Sequence, residues 1–166
     1  MKLKNIMFTF LLCVLSTLDL SAAEYSDEAS KNLLRCAKNG NIDGMQRALN
    51  EENANINIQN KDGNTALHLA TITKKGCHQI VSQLLEYEAD PNIQNNDGNS
   101  PLHFSAQNGQ LVSLYLLIDN KADLNIQNKD EKTPFDLALE GIDNKACIDI
   151  LESSMVSKVN IKPAKK

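Results

Sequence analysis

The sequence predicts an all-α repeat solenoid, a stack of helix-turn-helix units joined by β-hairpin loops, and three observations predict it. Asn-Ile-Gln-Asn, followed by Lys or Asn and then Asp, occurs at Asn57 to Asp62, Asn92 to Asp97 and Asn125 to Asp130. A second pattern recurs just after each copy, as Thr65-Ala66-Leu67-His68, Ser100-Pro101-Leu102-His103 and Thr133-Pro134-Phe135-Asp136. The copies start 35 and 33 residues apart. At that period each unit is one small supersecondary element that cannot bury its apolar face alone and has to stack on its neighbours.

Residues 1–23 read as a secretory signal peptide. Lys2 and Lys4 precede an apolar run from Ile6 to Leu18, and Ser21-Ala22-Ala23 puts small residues where a signal peptidase reads, so cleavage is expected between Ala23 and Glu24. The run is shorter than the roughly 20 apolar residues needed to cross the hydrocarbon core, so no stable membrane insertion is expected after cleavage. Cys13 lies within the run rather than behind a small residue at its end, which argues against a lipoprotein.

The mature chain would carry 15 basic and 20 acidic side chains, net −5, over 143 residues. That is enough for one domain, and the acidic balance argues against nucleic acid, which is held by a basic stripe. Cys36, Cys77 and Cys147 remain, an odd number with no Cys-x-x-Cys spacing, so buried thiols are expected and at most one intrachain disulfide can form.

The repeat domain spans 24–152. It opens with a capping repeat at about 30–57, in which Leu33 to Gly40 form a first helix and Met45, Ala48 and Leu49 mark the apolar side of a second. Two full repeats come next, at about 58–92 and 93–125. Each begins at an Asp-Gly tip, Asp62-Gly63 or Asp97-Gly98, whose glycine supplies the left-handed conformation of a tight hairpin. Thr65, Ser100 and Thr133 are placed as N-caps, with Pro101 and Pro134 in the first turn where no amide hydrogen is needed. Leu67, Leu69 and Ala70 form an inward face, Gly76 or Gly109 ends the helix, and Ile80, Val81, Leu84 and Leu85 give the second helix its apolar period. Leu114, Leu116, Leu117 and Ile118 match them in the next unit. A C-terminal capping repeat at about 126–152 and a basic flexible tail at 153–166 complete the chain.

Thr65 to His68, Ser100 to His103 and Thr133 to Asp136, together with the closing Ala89-Asp90-Pro91-Asn92 and Ala122-Asp123-Leu124-Asn125, resemble ankyrin repeats. Four departures from that family's pattern stand out. Two additional residues fall between Ala70 and Gly76, so Ile72 to Lys75 should lengthen the inner helix or bulge at its end. Glu88 and Lys121 stand where the family usually has glycine, at about 1 kcal/mol each if the backbone there is left-handed. Glu131 replaces the tip glycine, so the last hairpin should be looser or differently turned, and Asp136 replaces histidine.

His68, His103 and Asp136 share one position of successive repeats, but such positions lie on the order of 10 Å apart, whereas ligands to one zinc approach to about 2 Å. They are instead expected to bond back to the N-cap as a capping-box glutamate does. His78, beside Cys77, reads as a solvated turn histidine. No nucleophile elbow, phosphate loop or paired carboxylate appears, so neither an enzyme nor a cofactor is expected.

The resemblance implies a scaffold, expected as a monomer in the periplasm or outside the cell, that binds a protein partner on its hairpin tips and inner-helix surface. Carried over by position, that surface contains Lys38, Asn39, Gln59, Lys61, Asp62, Asn64, Gln94, Asn96, Asp97, Asn99, Gln107, Asn108, Gln127, Lys129, Asp130 and Lys132. It is nearly all amide and charge, unlike hot-spot surfaces, so the ladder of amides either serves the repeats' own structure or reads a polar ligand. Tyr87, Tyr115 and Ile72 are the exposed apolar candidates, with Tyr115 in a core-period helix. Two other roles fit the same features, an accessory factor supporting an envelope enzyme and an effector delivered into a host cell.

Overall fold

A computed structural model describes residues 28–72, 78–141 and 144–159. The signal segment and its Ala23–Glu24 cleavage site, Gly76, Cys77, most of the insertion after Ile72, and residues 160–166 lie outside the described residues. The elements are helices: α1 (28–39), α2 (Ile42–Asn50), α3 (Ala66–Ile72), α4 (His78–Glu86), α5 (Pro101–Gln107), α6 (Leu111–Asp119), α7 (Pro134–Glu140) and α8 (Lys145–Val159). They pair as α3 with α4, α5 with α6 and α7 with α8, and the pairs stack in two layers. In the inner layer α5 lies between α3 and α7, and in the outer layer α6 lies between α4 and α8. α8 runs through Ser153, which the sequence assigned to the tail, as far as Val159.

Each inner helix is a short seven-residue element, below the length at which an isolated helix holds together in water. Packing and caps hold it instead. Pro101 and Pro134 occupy the first position, and reciprocal side-chain bonds across the start close a capping box in α5 and α7. One continuous core runs the length of the stack through Leu33, Met45, Leu67, Leu84, Leu102, Leu117 and Leu151. Ala70, Ser105 and Ala138, at the same slot of the three inner helices, are fully buried because only small residues fit where helices approach closely. Leu69, Leu116 and Ile118, expected inside, are only partly buried.

The hairpin loops are turns rather than strand pairs, since no β-strand occurs among the described residues. In the first, Gly63 N–H donates to Asn60 O (2.9 Å) and Asn60 N–H to Asn64 O (2.9 Å), with Gly63 at φ +79°. The second repeats this with Gly98 at φ +80°. The third does so as well, which corrects the expectation of a looser turn. Glu131 N–H donates to Asn128 O (3.0 Å), Asn128 N–H donates to Lys132 O (2.9 Å), and Glu131 takes φ +61°. Glu88 and Lys121 are left-handed too, at φ +63° and +66°.

Glutamate is tolerated at 131 because of what each tip touches. A Cβ at Gly63 would stand 2.5 Å from Asn96 N, and one at Gly98 would stand 2.8 Å from Lys129 N, both backbone atoms of the next tip. Glycine is therefore required there by space as well as by φ. Among the described residues no further tip packs against Glu131, so only the conformational cost applies there, about 1 kcal/mol.

Candidate functional site

The row of tips is built by the recurring Asn-Ile-Gln-Asn. The second asparagine shapes each tip: Asn60 Oδ1 accepts from Asp62 N and Asn64 N, Asn95 Oδ1 from Asp97 N and Asn99 N, and Asn128 Oδ1 from Asp130 N and Lys132 N, all at 2.9–3.0 Å. The glutamine joins tip to tip. Gln59 Nε2 donates to Gly63 O (2.7 Å) and Gln94 O (3.0 Å), and Gln94 Nε2 donates to Gly98 O (2.6 Å) and Gln127 O (2.9 Å). The first asparagine clasps the closing loop of the next repeat: Asn57 Oδ1 accepts from Asp90 N (3.0 Å) and Asn92 Oδ1 from Asp123 N (2.7 Å). Backbone bonds complete the row, Asn96 N–H to Asp62 O (3.1 Å) and Lys129 N–H to Asp97 O (3.0 Å).

The carried-over surface residues therefore divide into two groups. Gln59, Gln94, Gln127, Asn64, Asn96, Asn99 and Asn108 spend side-chain groups on the protein itself. Asn64 Oδ1 and Asn99 Oδ1 accept from Asn95 Nδ2 and Asn128 Nδ2, Asn96 Nδ2 reaches Lys61 O, and Asn108 Nδ2 reaches Thr71 O. Among the described residues, Gln127 Nε2 bonds only within its own tip, to Glu131 O (3.2 Å). Lys132 pairs with Glu140 at 2.7 Å. Lys38, Asn39, Lys61, Asp62, Asp97, Gln107, Lys129 and Asp130 are exposed. The structure thus brings three Lys/Asn-Asp pairs into one row, held in register by the amides behind them.

His68 and His103 sit beneath this row, fully buried. His68 Nδ1 accepts from Thr65 N (3.1 Å) and Thr65 Oγ1 (2.8 Å), which fixes the proton on Nε2, and that N–H donates to Asn99 O of the next repeat (3.0 Å). His103 repeats the arrangement with Ser100 and Lys132 O (3.1 Å). Burial lowers the His68 pKa to about 4, against the opposing pull of its bond to Asn99 O, and burial lowers that of His103 in the same way. Both nitrogens of each ring are engaged, so neither imidazole has a lone pair to offer a ligand. Asp136 accepts from Thr133 N (2.8 Å) and Thr133 Oγ1 (2.6 Å), bonds that hold its carboxyl below the usual carboxylate range.

Sequence reasoning missed Asn144. It is buried, and its Nδ2 donates to Ala106 O (2.9 Å), Gln107 O (3.1 Å) and Ala138 O (3.3 Å), stitching the last two repeats together. Its counterpart before α6 is Gln110, whose Nε2 donates to Thr71 O (2.8 Å) of the previous inner helix, but the residue type differs, so no repeated letter marks the position. Tyr115, which shares a helix with core leucines, is 58% exposed. Tyr87 is half-buried, with its hydroxyl donating to Asn50 Oδ1 (2.9 Å). Cys36 and Cys147 are buried, unpaired thiols whose pKa values are raised by burial.

Stacked helix pairs, tips locked in a row and buried imidazoles spanning neighbouring units define a helical repeat scaffold. The family described as ankyrin repeats (3 copies) matches residues 33–128 and 72–162, and the chain belongs to it. No curated protein matches the chain.

Proposed function

We propose that this chain is an exported scaffold, without catalytic chemistry of its own, that holds a protein partner on its row of hairpin tips and the adjoining inner-helix surface. The observation that carries this reading is the amide ladder. It fixes Lys61-Asp62, Asn96-Asp97 and Lys129-Asp130 as exposed groups on a pre-organised row, and a surface that does not need ordering on binding loses less affinity to entropy. The basic start, apolar run and Ser21-Ala22-Ala23 support export, and among the described residues no helix is long and apolar enough to cross a membrane.

Fractionation of the native host with intact-mass measurement tests export: a species beginning at Glu24 in the envelope or medium is expected, and a full-length cytoplasmic species would overturn it. A photo-crosslinking residue placed at Asp62, Asp97 or Asp130 in the native host tests the surface. One discrete adduct shared by the three positions is expected. Absence of an adduct from all three would remove the tips as the binding surface.

A further inference from the structure

The outer helices α4 and α6 occupy equivalent places in consecutive repeats, yet they present opposite chemistry to solvent. α4 carries His78, Gln79, Ser82 and Gln83 on its outer side, and α6 carries Leu111, Val112, Tyr115 and Leu116 at the same positions. Leu111, Val112 and Tyr115 are 40%, 52% and 58% exposed. The inversion continues inward, where buried Ile80 of α4 is matched by buried Ser113 of α6. α6 keeps its place in the core through Leu114 and Leu117, but the Leu, Val and Tyr it turns outward are not needed by that core. Beside this strip lies a groove of about 570 Å³, in which Val112 and Leu116 face Gln79, Gln83 and Glu86.

Three features specify what fits. The strip is one helix wide, because the matching positions on α2 and α8 include Asp43 and Arg47, and Lys145 and Asp149. All backbone here is helical and bonded within its own helices, so the surface offers side chains only. An extended peptide would leave its amides unsatisfied against it, whereas a helix satisfies its own. The margins are acidic: among the described residues of the four outer helices the exposed charges are Asp43, Glu86, Asp119, Asp149 and Glu152 against Arg47 and Lys145. We propose that the α4–α6 groove binds an amphipathic helix of a partner protein, its apolar stripe on Val112, Tyr115 and Leu116 and its lysine- or arginine-rich flanks facing the carboxylates. This face is separate from the row of tips and stands whether or not the tips bind.

The test is fluorescence anisotropy of the isolated protein with a designed helical peptide of about 18 residues, long enough for roughly five turns. It carries a leucine stripe flanked by lysines, and the controls are a glutamate-flanked peptide and a scrambled Leu/Lys peptide. The lysine-flanked peptide is expected to bind at least about tenfold more tightly than either control. The quadruple variant Leu111→His, Val112→Gln, Tyr115→Ser, Leu116→Gln, which gives α6 the outer residues of α4, should lose that binding while still unfolding cooperatively. Tyr115→Gln alone, at an exposed position, should weaken it about threefold and serves if the quadruple variant does not fold. Equal binding to wild type and variants, or no preference for the lysine-flanked peptide, would overturn the proposal. So would self-association that the variants abolish and the peptide does not displace, since a second copy would then cover the face.

Discussion

His68 makes the stack sensitive to acid. Its imidazole titrates near 4 in the folded protein, against an ordinary 6.5, so the unfolded chain takes up the proton first. The stability it contributes is complete above about pH 6.5 and is lost as pH falls from there toward 4, by up to about 3 kcal/mol, with His103 shifted in the same direction. Urea midpoints at pH 7 and pH 4.5 should show the loss, and His68→Asn should flatten it. Asp136 acts in a lower window: its depressed pKa means its contribution is lost only as pH falls below the ordinary carboxylate value. A second residue-scale expectation concerns the tips. Gly98→Ala should destabilise by about 2 kcal/mol or more, because its Cβ would meet Lys129 backbone, whereas Glu131→Gly should stabilise by up to about 1 kcal/mol, both read from urea unfolding. The His spacing to Thr65 and Ser100 was legible in the sequence because a capping box is a local pattern. The geometry at Glu131 was not, because what makes glycine mandatory at 63 and 98 is the neighbouring tip rather than the turn itself.

Among the elements, the Asn-Ile-Gln-Asn segments hold the repeats together more than they decorate them. Gln94 bonds to two tips and Gln127 to one, so Gln94→Ala should cost about 1–2 kcal/mol and Gln127→Ala no more than about half of that. Asn144→Ala removes three bonds from a buried amide and should cost about 2–3 kcal/mol, measured by the same denaturation. From sequence, a ladder of identical polar residues at a fixed period is consistent with a ligand-reading surface or with internal glue. Only the three-dimensional register, which puts each Gln59-type amide against the next repeat's carbonyl, decides between them. α6 hid its exposed face for a related reason. With apolar residues on nearly every side, its periodicity could not say that Tyr115 points out while Ser113 points in.

At the scale of the whole molecule, the last repeat departs from its predecessors at residues that reach forward. Gly63 and Gly98 become Glu131, Asn64 and Asn99 become Lys132, and His68 and His103 become Asp136. In the first two repeats each of these meets the next unit, by close approach, by an accepted amide bond, or by an Nε2–H donated to a carbonyl. In the third a carboxylate, which can only accept, caps the helix as well as histidine does. Whether a shortened array folds should therefore depend on which units are adjacent, while its stability grows with their number. Deleting residues 93–125 joins Asn92 to Ile126 and restores Asn-Ile-Gln-Asn, so the shortened chain should fold with a lower thermal midpoint. Truncation after Asn125 would strip the cover from Leu102 and leave the His103 Nε2–H without its acceptor, and should give a chain without a cooperative transition by circular dichroism.

The one-way reach of these contacts also sets how such a gene can lengthen. Copying the middle unit in tandem yields forward contacts that already match, with no further coding change. Adding a unit beyond the last one requires codons 131, 132 and 136 to change together before the newcomer can seat. The array is open to growth from within, whereas the unit that carries Glu131, Lys132 and Asp136 keeps none of these three forward contacts among the described residues.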